Sequence, residues 1–256
     1  MGKFSGYLIC SDIDGTFYCP EPDNENMQAV RYFIENGGKF TFITGRMADH
    51  LSKKGFLPII NAPVCLCNGG IIYDYATDRI LRCSALEFTV QAFLDAIRKA
   101  PVSIKQLYIF YSDMSHSTCY ESPEDISEED RKVCPAKLLC KFYTEQQADA
   151  FKEYALQVPF FKDTFISKSW SFGVEFNAMD ATKGHALKFI KEYLGDIHTA
   201  VGIGDYENDL PLLQQADLAV AVENAQECLK DIADVIVKHY EQYAMKDLIA
   251  YLENKL

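Results

Sequence analysis

Gly6-Tyr7-Leu8-Ile9-Cys10 runs without a break into Ser11-Asp12-Ile13-Asp14-Gly15-Thr16. A short apolar run that ends in acidic residues and a glycine reads as a buried strand delivering carboxylates at its C-terminal end. Residues i and i+2 on an extended segment can point the same way, and Gly15 lets the chain turn sharply away behind them. Downstream, Asn26 to Asn36 carries Met27, Val30, Phe33 and Ile34 at helical spacing and stops at Gly37-Gly38. A second strand, Lys39 to Ile43, enters Thr44-Gly45-Arg46, and a third, Pro63 to Cys67, closes on Asn68-Gly69-Gly70. Strand–helix–strand alternation of this kind predicts a parallel sheet with helices on both faces, a Rossmann-like three-layer α/β core.

The pattern is interrupted and then resumes. Leu86 to Arg98 has amphipathic helical spacing. Ile104 to Tyr111, Ser117 to Tyr120, Ala136 to Phe142, Phe160 to Ile166 and Ser171 to Phe176 have the character of antiparallel strands, with a helix expected over Glu145 to Gln157. The charged run Glu124 to Lys132 is expected as a solvated helix or loop. From Lys183 the alternation returns, with helices expected over Lys183 to Leu194, Asn208 to Gln215, Ala225 to Ile232 and Glu241 to Leu252. The expected organisation is therefore a core domain from 1–83 and 179–256, with an α+β domain inserted from about 84 to 178.

Four aspartates fall in two tight groups, Asp12 with Asp14 and Asp205 with Asp209, each directly after a core strand. In a parallel sheet ligands bind outside the carboxyl ends of the strands. Carboxylates packed together there repel and favour a cation, and oxygen-only ligands suit a hard ion such as magnesium. Thr44 follows the second strand in the same way, so its hydroxyl and the amides around Gly45 can hold phosphoryl oxygens. Lys183-Gly184 opens a helix and offers a positive charge to the same anion. Taken singly, each motif has a plainer reading. Asp12 to Thr16 could be a turn, Thr44 a strand-end cap, Lys183 a surface lysine, and Asp205 and Asp209 a turn and an N-cap. A calcium loop is excluded because Phe17, Tyr18 and Cys19 occupy positions that should supply oxygens. The arrangement at four strand ends is what favours function.

These motifs resemble those of the haloacid-dehalogenase-like phosphohydrolases, over nearly the whole chain. Asp12-Ile13-Asp14-Gly15-Thr16 is similar to their first motif, Thr44-Gly45-Arg46 to their second, Lys183-Gly184 to their third and Gly204-Asp205-Tyr206-Glu207-Asn208-Asp209 to their fourth. Arg46 and Asn68-Gly69-Gly70 are similar to the Cof-type subgroup, and the position of the insertion implies a C2-type cap. The resemblance implies a magnesium-dependent phosphatase with Asp12 as nucleophile and Asp14 as general acid and base. It implies magnesium held by Asp12, Asp205 and the backbone carbonyl of Asp14, with Asp209 positioning the ion and Lys183. Thr44, Gly45, Lys183, Asn208 and the amide of Ile13 would hold the phosphoryl group. Small phosphorylated metabolites are the implied substrates, with sugar phosphates first and cofactor-type phosphates second. A phosphomutase, or a non-enzymatic phosphometabolite-binding protein on the same fold, are the alternatives. Tyr206, Glu207 and Gln242-Tyr243-Ala244 depart from the family pattern and bear on substrate class.

The bulk properties set limits. With 48% apolar and 24% charged residues the chain is of ordinary globular composition, and its net charge of -12 argues against a nucleic-acid partner. There is no apolar stretch for a membrane span or signal peptide, so a cytoplasmic location is expected. Nine cysteines, an odd number in a chain too long to need staples, read as reduced thiols. Cys65 and Cys67 lack a second pair to complete a zinc site. Monomer and dimer are both open. For the leaving group the inserted block offers Tyr108, Lys141 and Trp170 as specificity candidates, although residues of this kind are more often packing or plain surface than ligands. Trp170 is the sole tryptophan and sits among polar residues.

Overall fold

The computed structural model describes residues 2–21, 23–114 and 116–255. Its strands are β1 (Tyr7–Ser11), β2 (Lys39–Phe42), β3 (Val64–Leu66), β4 (Ile71–Asp74), β5 (Arg79–Cys83), β6 (Gln106–Phe110), β7 (Ser117–Tyr120), β8 (Lys137–Lys141), β9 (Thr164–Trp170), β10 (Gly173–Ala178), β11 (Thr199–Gly204), β12 (Leu218–Val222) and β13 (Val235–Val237). Its α-helices are α1 (Glu25–Glu35), α2 (Ala48–Lys53), α3 (Val90–Ala96), α4 (Glu145–Gln157), α5 (Lys183–Leu194), α6 (Leu210–Gln215), α7 (Glu227–Lys230) and α8 (Ala244–Lys255).

The central sheet is parallel, in the order β13-β12-β11-β1-β2. Leu8, Ile9 and Cys10 are wholly buried, as expected of a strand covered on both faces by helices. A parallel bridge between Ile43 and Cys65 carries the sheet on to β3, which starts an antiparallel β3-β4-β5 extension. β1 and β11 are neighbours in register, Ser11 facing Ile203, so the acidic motifs after each strand emerge side by side.

The second large sheet is antiparallel, β7-β6-β8-β10-β9. One of its faces carries Leu107, Ile109, Leu138, Cys140, Val174 and Phe176 and joins α3 and α4 in a separate apolar cluster with Phe93 and Phe151. The opposite face, set by the alternation of strand side chains, carries Tyr108, Phe110, Lys137, Leu139 and Glu175 and looks toward the carboxyl edge of the central sheet. The whole is a three-layer α/β core bearing an inserted α+β cap.

Some elements are shorter than their sequence patterns predict. The helix expected over Leu86 to Arg98 spans only Val90–Ala96, because Thr89 is extended and caps its first turn, its hydroxyl accepting from the Ala92 amide at 3.2 Å. The helix expected over Ala225 to Ile232 shrinks to Glu227–Lys230, with Gln226 extended at its N-cap and Asp231 at its C-cap. The charged run 124–132 holds two single 3-10 turns.

Candidate active site

Asp12 leaves β1 almost buried and faces Lys183, whose Nζ lies 2.7 Å from the Asp12 carboxylate and 2.6 Å from that of Asp209. Lys183 is placed by α5, whose first turn is capped by the Thr182 hydroxyl accepting from the His185 amide at 3.2 Å. Gly184 lets α5 come close to α6, because a Cβ there would lie 2.2 Å from the Pro211 carbonyl oxygen. Asp209 spends its second oxygen on the amides of Asp205 and Tyr206, at 3.0 and 3.2 Å. Thr16 donates to Asp205 at 2.8 Å, and Gly15, at φ +80°, leaves room for the Asp205 carboxylate, which would stand 2.4 Å from any Cβ.

One carboxylate oxygen each from Asp12, Asp205 and Asp209 lie within 4.8 Å of one another. Burial pushes the Asp12 carboxyl well up, and Asp209 and Asp205 add to this against the pull of Lys183. Burial and then Asp209 push Asp205 up to about 7. Three crowded, desolvated carboxylates are the donor set a hard divalent cation fits, and such an ion would relieve their repulsion. Burial would discharge Lys183, but Asp12 and Asp209 outweigh it and hold the ammonium charged.

Asp14 stands apart from this cluster. Its carboxylate is exposed to the cavity and gripped by both arms of Arg46, at 2.8 and 2.9 Å. Burial opposes the effect, but the guanidinium holds Asp14 below the usual carboxylate range. Thr44 is buried, its hydroxyl accepting from the Arg46 amide at 3.2 Å. Among the described residues the amides of Ile13 and Gly45 donate to no protein acceptor, so both are free to meet an anion. Asn208 donates to Asn68 at 3.3 Å, while its own Oδ1 is buried without a partner.

A cavity of about 570 Å3 separates this floor from the antiparallel sheet above it. Asp12, Asp14, Gly45, Arg46 and Asn208 line it from below; Tyr108, Phe110, Lys137, Leu139, Trp170 and Glu175 line it from above. Trp170 reaches it through a register shift between β9 and β10, where Gly173 pairs with Trp170 but Glu175 with Ser167. The extra residue turns the indole onto the same face as Ser167. Lys141 is not on the cavity wall; its ammonium lies 5.4 Å from the centre of the Trp170 ring.

The chain and its fold have known relatives. Residues 9–249 match the family model of haloacid dehalogenase-like hydrolases. The chain belongs to that family. Among its relatives are the 5-amino-6-(5-phospho-D-ribitylamino)uracil phosphatase YcsE of Bacillus subtilis (26% identical, covering 90% of this chain and 88% of the relative) and a phosphoglycolate phosphatase of Methanobrevibacter smithii (24% identical, 94% and 96%). The structure of the subclass IIB sugar phosphatase BT4131 superposes with a TM-score of 0.77 at 19% identity, over 96% of this chain and 99% of that one. These relatives are phosphatases, the enzyme class expected from the sequence.

For a haloacid dehalogenase-like hydrolase, the sequence motifs lead to the floor of this cavity but not to all of its roof. They do not reach Lys137 and Glu175. Each is at most 2% exposed, and together they form an ion pair of 2.9 Å inside the roof. The available signal is their phase: both fall on the strand positions that alternate with the fully apolar ones, Leu138 and Cys140 on β8, Val174 and Phe176 on β10.

Proposed function

We propose that this haloacid dehalogenase-like phosphatase hydrolyses small phosphorylated metabolites, sugar phosphates foremost, through an aspartyl-phosphate on Asp12. The observation that carries the reading is the Asp12 carboxylate, held 2.7 Å from Lys183 beside Asp205 and Asp209 on the floor of a cavity. In this reading Asp12 attacks phosphorus and displaces the leaving oxygen, which Asp14 protonates; Asp14 then takes a proton from the water that cleaves the acyl phosphate. Asp14 is tied to Arg46 with its proton off, so it must leave the guanidinium to act as an acid. An incoming phosphoryl group competes for Arg46 and releases it. Thr44, Lys183 and the amides of Ile13 and Gly45 hold the phosphoryl oxygens, and Asn208 supports them. Magnesium, when bound, would sit on Asp12, Asp205 and the Asp14 carbonyl and neutralise phosphoryl charge. Asp209, whose oxygens are already committed to Lys183 and two amides, orients rather than dominates that set.

Residues 84–178 act as the cap and 1–83 with 179–256 as the catalytic core. The cap supplies the walls that meet the leaving group, with rings from Tyr108, Phe110 and Trp170 for its apolar faces. A cavity of this size suits a metabolite of sugar dimensions, and BT4131, of the same fold, is a sugar phosphatase. All nine cysteines are free thiols, which agrees with work in the cytoplasm. No helix among the described residues is long and apolar enough to cross a membrane.

The test is turnover of an aryl phosphate with magnesium. Asp12→Asn keeps the shape of the site but removes the nucleophile, and kcat should fall by about 10³-fold or more. Wild-type turnover in that variant would overturn the assignment.

A further inference from the structure

The roof of the cavity does more than bound it: three of its side chains grip the two loops that shape the phosphate-binding floor. Lys137 on β8 donates to the Gly45 carbonyl at 2.7 Å. Glu175 on β10 accepts from the Asn68 side chain at 2.5 Å, and Asn177, two residues on, donates to the Cys67 carbonyl at 2.7 Å. The two floor loops are themselves laced together, Asn68 N to Thr44 O at 2.9 Å and Cys67 N to Arg46 O at 3.1 Å. Cys67 and Asn68 are both in the left-handed region, at φ 52° and 58°, a conformation that persists only when its surroundings hold it.

The bond to Gly45 has a specific consequence. The carbonyl it fixes belongs to the Gly45–Arg46 peptide, whose N–H points the other way and donates to the Thr44 hydroxyl oxygen at 3.2 Å. With that acceptor position filled, the Thr44 hydroxyl hydrogen is left to donate outward, to a phosphoryl oxygen. Lys137 is itself held in place from two sides, since Glu175 pairs it at 2.9 Å and the Phe110 ring lies 4.2 Å from its ammonium. Leaving a charged pair this deeply buried is costly unless every valence is met. Here the remaining valences of both partners go to the floor loops.

We infer that Lys137, paired with Glu175, is a positioning residue for phosphoryl transfer. By fixing the Gly45–Arg46 peptide it sets the Thr44 hydroxyl, so the floor is complete only when the cap sheet is seated on it. The inference rests on the phosphatase reading above. It differs from a leaving-group role because Lys137 acts through the floor and its effect is the same for every phosphate monoester.

The test is a series on one aryl phosphate with magnesium: wild type, Asp12→Asn, Lys137→Met, and the double variant Lys137→Met/Glu175→Gln. Lys137→Met strands the Glu175 charge, so it should lower Tm as well as kcat. The double variant removes both charges at nearly constant shape and should regain most of the lost Tm. Its kcat should stay about 10- to 100-fold below wild type, with KM changed far less, because a misplaced donor is felt mainly in the transition state. A double variant at wild-type kcat, or a kcat that simply follows Tm through the series, overturns the positioning role alone. A wild-type protein without turnover, or an Asp12→Asn protein with full turnover, overturns the phosphatase reading and this inference with it.

Discussion

Asp205 shows how a single residue can report on its site. Burial and the neighbouring Asp209 push its carboxyl from the ordinary value near 3.8 up to about 7. Between those values the folded chain keeps a proton that the unfolded chain has released. Its contribution to stability therefore falls as pH rises through that window, the opposite of the usual salt-bridged aspartate. A divalent cation competes with that proton. Magnesium should thus raise Tm more at pH 8 than at pH 5, and at 100 times its Kd it should add about 2.7 kcal/mol, roughly 5–10 °C for a chain of this size. Thermal unfolding in EDTA and in magnesium at both pH values checks this. In Asp205→Asn the magnesium gain should largely vanish. An equal gain at both pH values in the wild type would mean that the cation does not bind where Asp205 titrates.

Elements differ in how much of them the sequence displays. β1, β2 and β11 are buried on both faces and read as apolar runs, and their acidic or hydroxyl ends follow at once; that part of the fold and the floor of the site are legible. The cap strands are half exposed to a cavity, so functional and structural residues share one alternating pattern. Tyr108 and Trp170 can be named from chemistry, whereas Lys137 and Glu175 look like ordinary polar positions because their partners, Gly45 and Asn68, are distant in sequence. The left-handed turn at Asn68 and the register shift that aims Trp170 are equally silent until the strands are paired. At this scale the α5–α6 contact makes a sharp prediction. In Gly184→Ala the new Cβ meets the Pro211 carbonyl oxygen, a backbone atom that cannot swing aside. The variant should lose about 1–3 kcal/mol in chemical denaturation, and kcat should fall too, since Lys183 rides on the same turn. Unchanged stability would mean that α5 can shift without disturbing α6.

For the whole molecule the question is what seats the cap, and the loop that bears Asp205 and Asp209 takes part. Glu207, in the middle of that loop, reaches up to the cap: it accepts from the Lys152 ammonium on α4 at 2.6 Å and from the Lys168 main-chain amide on β9. Both partners lie on the cap, so one side chain of the acidic loop bridges core and cap beside the strand that carries Glu175, whose cross-strand partner Ser167 precedes Lys168. The Lys152–Glu207 pair is about four-fifths buried, with side-chain exposures of 22% and 23%. A hydrogen bond to a charged group in such a place contributes about 1.5–3 kcal/mol. The cap contact gives Glu207 a physical role in that loop. Glu207→Ala should therefore loosen the cap locally while leaving the core sheet intact. Hydrogen exchange is the direct measurement. The Lys168 amide should exchange about ten-fold faster or more in the variant, while amides of β1 and β11 keep their wild-type protection. Because the loop also holds Asp205 and Asp209, magnesium should slow exchange at Lys168 in the wild type and do so less in Glu207→Ala. Equal protection of Lys168 in the two proteins would show that Glu207 does not hold the cap, and would leave its seating to other bonds, those of Lys137, Glu175 and Asn177 among them.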